Sequence, residues 1–219
     1  STAELEKLMF EAVVNVDYEK MERKNARIKE EFDSGEEVQI KDKNTDLRLS
    51  IKNREGRSSH GRRNFPDGEV FYAPVKDSVE GKIMFSHPAA YSGGLIHGVK
   101  LWFKDGQIVD FSAERNEELL ESMIDTDEGS RYLGEFGIGT NRRVTRNVNN
   151  TIPDEKIGGS IHLAIGNAYE ETVPNSEERN KSGIHQDIVF DMRPRAGGGK
   201  IVLDGETVQQ DGEWRFSVD

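Results

Sequence analysis

Cysteine is absent from all 219 residues, which excludes disulfides, thiolate zinc sites and a cysteine nucleophile. Positive charge is scarce, with 30 basic residues against 41 acidic ones, and the formal charge of -11 repels phosphate backbones and anionic membrane surfaces. No nucleic acid is expected as a partner. No apolar run approaches the roughly 20 residues needed to span a bilayer, so no membrane partner is expected either. The start, Ser1-Thr2-Ala3-Glu4-Leu5-Glu6, carries neither an initiator methionine nor a signal-peptide pattern. These features are compatible with a reducing cytoplasm and with a chain that is part of a longer polypeptide. Also missing are a His-Glu-x-x-His helix, a Gly-x-Ser-x-Gly elbow and an EF-hand loop. A dinucleotide loop fails at its third glycine, because the spacing from Gly137 and Gly139 reaches Arg142.

Hydrophobic residues make up only 34% of the chain and mean hydropathy is -0.74, so a core must be assembled from short apolar segments. At 219 residues one domain can do this. Ser1 and Glu4 have capping-box spacing, and Leu5, Leu8, Met9, Ala12 and Val13 share a helical face that reads as a core stripe. A second helix is expected from about Asp17 to Phe32, with Tyr18, Met21, Ile28 and Phe32 inward and Gly35 just past its end. Residues 1–35 thus form a helical lead-in. Beyond them the period becomes alternating at Val38 and Ile40, then at Leu47, Leu49 and Ile51. Strands are expected over 95–103 and 108–113, joined by an Asp105-Gly106 hairpin turn, and over 157–166, 184–191, 200–203 and 214–218. Residues 117–124 predict a helix. The fold class is α+β: a strand-rich mixed or antiparallel sheet, or partial barrel, with an N-terminal helical segment. The polar stretch 170–181 reads as a loop over a cleft, and the arginines 142, 143 and 146 as a solvated or internally paired cluster.

His185 and Asp187 are two apart in an extended segment, so both side chains face the same way. His162 lies between Ile161 and Leu163, which point to the opposite face. Glu69 ends Asn64-Phe65-Pro66-Asp67-Gly68-Glu69, a turn-to-strand junction that would hold a carboxylate rigidly, and Glu135 sits among glycines that permit close backbone approach. Alone, each has an ordinary structural explanation. Together, two imidazoles and three carboxylates are too many for one closed zinc site but suit a pair of divalent ions, which points to metal-assisted hydrolysis. His60, His87 and His97 have no ligand-like spacing and read as structural or surface groups.

Four blocks carry a resemblance: residues 64–69, Gly-Glu-Phe-Gly-Ile-Gly-Thr-Asn at 134–141, Glu-Lys-Ile-Gly-Gly-Ser-Ile-His at 155–162, and Ile-His-Gln-Asp at 184–187. In their order the chain resembles the thermophilic metallo-aminopeptidases of the aminopeptidase T and aminopeptidase S family. The resemblance implies a single catalytic metal-binding domain, residues 1–219, from the C-terminal part of a two-domain enzyme. It implies two divalent ions, zinc or cobalt, on Glu69, Glu135, His162, His185 and Asp187, with Glu135 and Asp187 bridging. It also implies a proton-transfer role for Glu155, an oxyanion donor or ligand in Tyr169, peptide substrates with a free N-terminus, and a homodimer in the full-length enzyme. Gln186 departs from the tryptophan expected there, on the side away from the metal face. Two other readings compete: a non-catalytic metal-binding or assembly domain, and a mononuclear iron oxygenase with a two-histidine, one-carboxylate triad.

Overall fold

The computed structural model describes residues 2–218, so the Ser1 half of the expected capping box lies outside the described residues. Two helices lead the chain, α1 (Thr2–Val13) and α2 (Tyr18–Asp33). Asp17 caps α2 by accepting the Lys20 N–H at 2.9 Å. Met21, Asn25, Ile28 and Phe32 recur once per turn and form its buried face. The stripe on α1 is not core as expected. Of its residues only Ala12 is buried, and Leu5 is 40% exposed.

The strands are β1 (Glu37–Lys41), β2 (Asp46–Ser50), β3 (Arg57–Ser59), β4 (Glu69–Tyr72), β5 (Glu80–Met84), β6 (Ala89–Tyr91), β7 (Gly94–Ile96), β8 (Lys100–Lys104) and β9 (Gln107–Ser112). Helix α3 (Glu117–Ile124) precedes β10 (Leu133–Gly139), and the short α4 (Thr151–Glu155) precedes β11 (Ser160–Gly166). Then come β12 (His185–Asp191), β13 (Lys200–Leu203), β14 (Glu206–Gln210) and β15 (Glu213–Trp214). They build an eight-stranded sheet in the order β15-β14-β13-β1-β2-β5-β8-β9, a five-stranded sheet β12-β11-β10-β4-β3, and the hairpin β6-β7. The ladders are antiparallel and the sheets stay open, which makes the fold α+β and strand-rich. The Asp105-Gly106 turn forms as expected, with φ of 51° and 79°, while the single strand expected over 95–103 is divided between β7 and β8.

One apolar cluster joins the two large sheets. Val38, Ile40, Leu47 and Leu49 enter it from the eight-stranded sheet, and Val70, Tyr72, Phe136, Ile138, Ile161, Leu163, Ile188 and Phe190 from the five-stranded one. Ile28 and Phe32 of α2 complete it. Because side chains alternate along a strand, the other face of β4, β10, β11 and β12 is left for different residues. Among the described residues no helix is long and apolar enough to cross a membrane.

Candidate metal centre

That second face carries Glu69 and Phe71 from β4, Glu135 and Gly137 from β10, His162 and Ala164 from β11, and His185 and Asp187 from β12. Register aligns them in rows: Glu135 opposite Ala164 opposite Asp187, and Phe71 opposite Gly137 opposite His162. A bulge between Leu133 and Glu135 resets the alternation of β10, so Leu133 stays in the core while Glu135 turns to the site. Small residues make the room. A Cβ on Gly137 would lie 1.9 Å from His162 Nε2, so the imidazole lies directly over that glycine.

The turn before β4 is built by Asp67. Its Oδ2 accepts the Gly61 N–H at 2.6 Å and its Oδ1 the Gly68 N–H at 2.9 Å, which closes the loop that delivers Glu69. Asn25 of α2 donates to the Ser59 and Glu69 carbonyls, each at 3.1 Å, tying the helix to this strand. On the far side, Asn141 donates to the Asp67 carbonyl at 2.8 Å. The motif is thus fixed from three directions.

The side chains converge. His162 Nε2 is 2.9 Å from Glu135 Oε1 and 3.4 Å from Glu69 Oε2, and His185 Nε2 is 3.7 Å from Asp187 Oδ2 and 4.0 Å from Glu135 Oε2. His185 Nδ1 lies 2.7 Å from the Asn167 carbonyl, a contact that directs Nε2 into the cluster, as second-shell acceptors do for ligating histidines. Three overlapping sets have ligand atoms within 4.8 Å of one another: Glu69, Glu135 and His162; Glu135, His185 and Asp187; Glu155, His162 and Asp187. Glu69 Oε2 and Asp187 Oδ1 are buried without a hydrogen-bond partner. Buried carboxylate oxygens left this way carry a large desolvation cost, and a cation would offset it. Donor types, spacing and orphaned oxygens all fit divalent metal.

Electrostatics agree. Burial pushes the Glu135 carboxyl up, with the His162 hydrogen bond opposing and the Asp187 charge adding. Burial alone would lower His162, but the Glu135 hydrogen bond and the charges of Asp187, Glu135 and Glu69 reverse this and hold it at about 9. Glu155 is raised by burial and by Asp187, with Lys156 pulling the other way. Tyr169 is pushed up to about 12, first by burial and then by Glu135, Asp187, Glu155 and Glu69, so its hydroxyl stays a proton donor at neutral pH.

A cavity of about 230 Å³ opens onto the cluster, lined among others by Arg63, Glu69, Glu135, Glu155, Tyr169 and His185. All seven residues singled out in the sequence meet here: His162 lies beneath at 0% exposure, and Tyr169, 44% exposed, sits over His185 with ring centroids 4.5 Å apart. Sequence reasoning missed two others. Lys156 is fully buried, its Nζ 2.6 Å from Glu69 and 2.5 Å from Glu155, and Arg63 stands at the rim paired with Glu171. Their positions beside Glu155 and Asn64, inside or next to quoted motifs, were the available signal. His60 and His87 are structural as expected, facing Glu22 and Asp191, and Arg142 is paired with Glu213.

Comparison with known proteins gives the family of the chain. Residues 11–214 match the family described as thermophilic metalloprotease (M29). Aminopeptidase 2 of Geobacillus stearothermophilus is 35% identical over 171 residues, which cover 71% of this chain and 41% of that protein. Aminopeptidase T of Thermus aquaticus is 36% identical over 149 residues, covering 65% of this chain and 36% of it. The chain therefore spans about two fifths of the length of these relatives. The solved structure of wild-type AmpT from Thermus thermophilus superposes with a TM-score of 0.82 at 26% identity, covering 96% of this chain and 58% of that one. A 2,5-dihydroxypyridine dioxygenase from Pseudomonas putida KT2440 shares the fold, with a TM-score of 0.71 at 17% identity over 91% of this chain and 60% of the other. With the family matched over nearly its whole length, the chain belongs to the thermophilic metalloproteases.

Proposed function

We propose that this chain bears the dinuclear metal centre of an aminopeptidase that releases N-terminal residues from peptides. The observation that carries the reading is the convergence of Glu69, Glu135, His162, His185 and Asp187 from four adjacent strands onto one buried point, with two carboxylate oxygens orphaned there. These five residues would hold two divalent ions, zinc or cobalt, with Glu135 and Asp187 shared because they are the two carboxylates that each fall in two of the three ligand sets. Bound there, such ions supply Lewis acidity and a nucleophile at neutral pH.

The chain's own residues account for the rest. Glu155, raised above the ordinary carboxyl range, can hold a proton at neutral pH and pass it to a leaving amine. Tyr169 keeps its hydroxyl proton and can donate it to an oxygen gaining negative charge. The cavity volume of about 230 Å³ is below the roughly 300–1,000 Å³ of common ligand clefts, which suits the end of a peptide better than its middle. The resemblance also supports a homodimer, which light scattering checks.

The test is a pair of peptides, one with a free N-terminus and one N-acetylated, incubated with the zinc- or cobalt-loaded protein. Release of the first residue from the free peptide alone is expected. Equal cleavage of both would overturn the reading, and one tightly held ion per chain would favour the mononuclear alternative.

A further inference from the structure

Lys156 has no assigned role, yet its ammonium lies inside the acidic cluster. Its side chain is 1% exposed, and Nζ donates to Glu69 Oε1 at 2.6 Å and to Glu155 Oε1 at 2.5 Å. The backbone beneath it is anchored: the Asn141 N–H donates to the Lys156 carbonyl at 3.0 Å, and the Lys156 N–H donates to that of Pro153 at 3.3 Å. A lysine so placed is costly for stability alone, since an apolar side chain of similar volume often serves as well as a buried ion pair. Its geometry does something an apolar residue cannot. One oxygen of Glu69 is taken, which leaves Oε2, buried, unpartnered and 3.4 Å from His162 Nε2, as the only oxygen directed at the cluster. Glu155, at the end of α4, is held through the same ammonium at the wall of the cavity.

We propose that Lys156 is a positioning residue that restricts Glu69 to a single ligating oxygen and fixes Glu155 beside the reacting groups. The inference rests on reading the cluster as a metal centre. It is tested in the 219-residue chain, whose lack of cysteine permits a clean rescue: Lys156→Cys, alkylated unfolded with 2-bromoethylamine and refolded, regains an ammonium at one position only. Lys156→Met and Lys156→Cys alkylated with iodoacetamide are the uncharged counterparts. The readouts are bound Co²⁺ per chain, the visible d–d absorption of the Co²⁺-loaded protein, and kcat against KM on an aminoacyl anilide.

In the uncharged variants the freed Oε1 of Glu69 should join the coordination sphere, so the d–d band weakens as coordination number rises. kcat should fall on the order of 100-fold, as for a catalytic group misplaced by about 1 Å, with KM within about threefold. Alkylation with 2-bromoethylamine should restore both band and rate. If Lys156→Met does not fold, the two alkylated forms make the same comparison. A wild-type Co²⁺ spectrum in an uncharged variant, or equal spectra in the two alkylated forms, would overturn the assignment while leaving the metal centre standing. Failure of the unmodified chain to take up Co²⁺ would remove the metal centre, and this role with it.

Discussion

Gly137→Ala is the sharpest perturbation of the site that replaces no candidate ligand. The added Cβ would stand 1.9 Å from His162 Nε2, 2.1 Å from Cε1 and 2.7 Å from Cδ2, whereas ordinary contact begins near 3.4 Å. The imidazole would have to retreat by about 1.5 Å. It has nowhere convenient to go, since His162 is fully buried and held between Glu135 at 2.9 Å and Glu69 at 3.4 Å. Metal–ligand distances tolerate only about 0.2 Å, so a shift of this size removes His162 as a ligand. We predict a loss of metal affinity on the order of 100-fold, the upper end of what disturbing ligand orientation costs, together with about 1–3 kcal/mol of overpacking in the metal-free fold. Competition against a chelator measures the first, and denaturant unfolding of the metal-free protein the second. A Gly137→Ala protein that binds zinc as tightly as the parent would refute the placement of His162 over this glycine.

Three further outcomes are expected. Tyr169→Phe should lower kcat by about 2.7–4 kcal/mol of transition-state stabilisation with metal content unchanged, whereas loss of metal by elemental analysis would make the hydroxyl a ligand. His162, held at about 9 in the metal-free cluster, carries a proton at pH 7.5, so zinc binding should release protons and tighten as pH rises towards 9; calorimetry in buffers of different ionisation enthalpy would contradict this by showing none. The same raised value stabilises the metal-free fold fully below an unfolded pKa near 6.5, and that contribution is lost as pH rises through about 9. Asp191, 2% exposed and paired with Arg193 at 2.7 Å, is held well below the usual carboxylate range: burial works against this, but His87 and Arg193 outweigh it. Its contribution is fully present above an unfolded pKa near 3.8 and is lost progressively as pH falls from there through the still lower folded value, so Asp191→Asn should cost about 3 kcal/mol at pH 7 and about half of that or less at pH 2; equal losses at both would remove the ion pair as the cause.

Much of the site was legible because it obeys strand alternation. Ile161 and Leu163 around His162, and the two-residue step from His185 to Asp187, place side chains on the face the structure shows. Strand β10 was harder to read. Gly134, Gly137 and Gly139 depress strand propensity, and the bulge interrupts the period, yet these features make the space over which His162 lies. Strand β14 hid for another reason, its Glu-Thr-Val-Gln-Gln sequence offering a single aliphatic side chain. Lys156 escaped because lysine is almost never fully buried without partners, and its partners come from two separate segments. The α1 stripe misled in the opposite direction: helical spacing specifies a face, but not what covers it, and Leu5 remains 40% exposed.

The proposed function stands on Glu69, Glu135, His162, His185 and Asp187 together holding two divalent ions. Anomalous diffraction at the zinc edge from zinc-grown crystals of this chain tests it most directly. We predict two peaks within the cluster, each contacted by one histidine and by carboxylates of this set. A single peak there, or zinc bound only elsewhere, would contradict it.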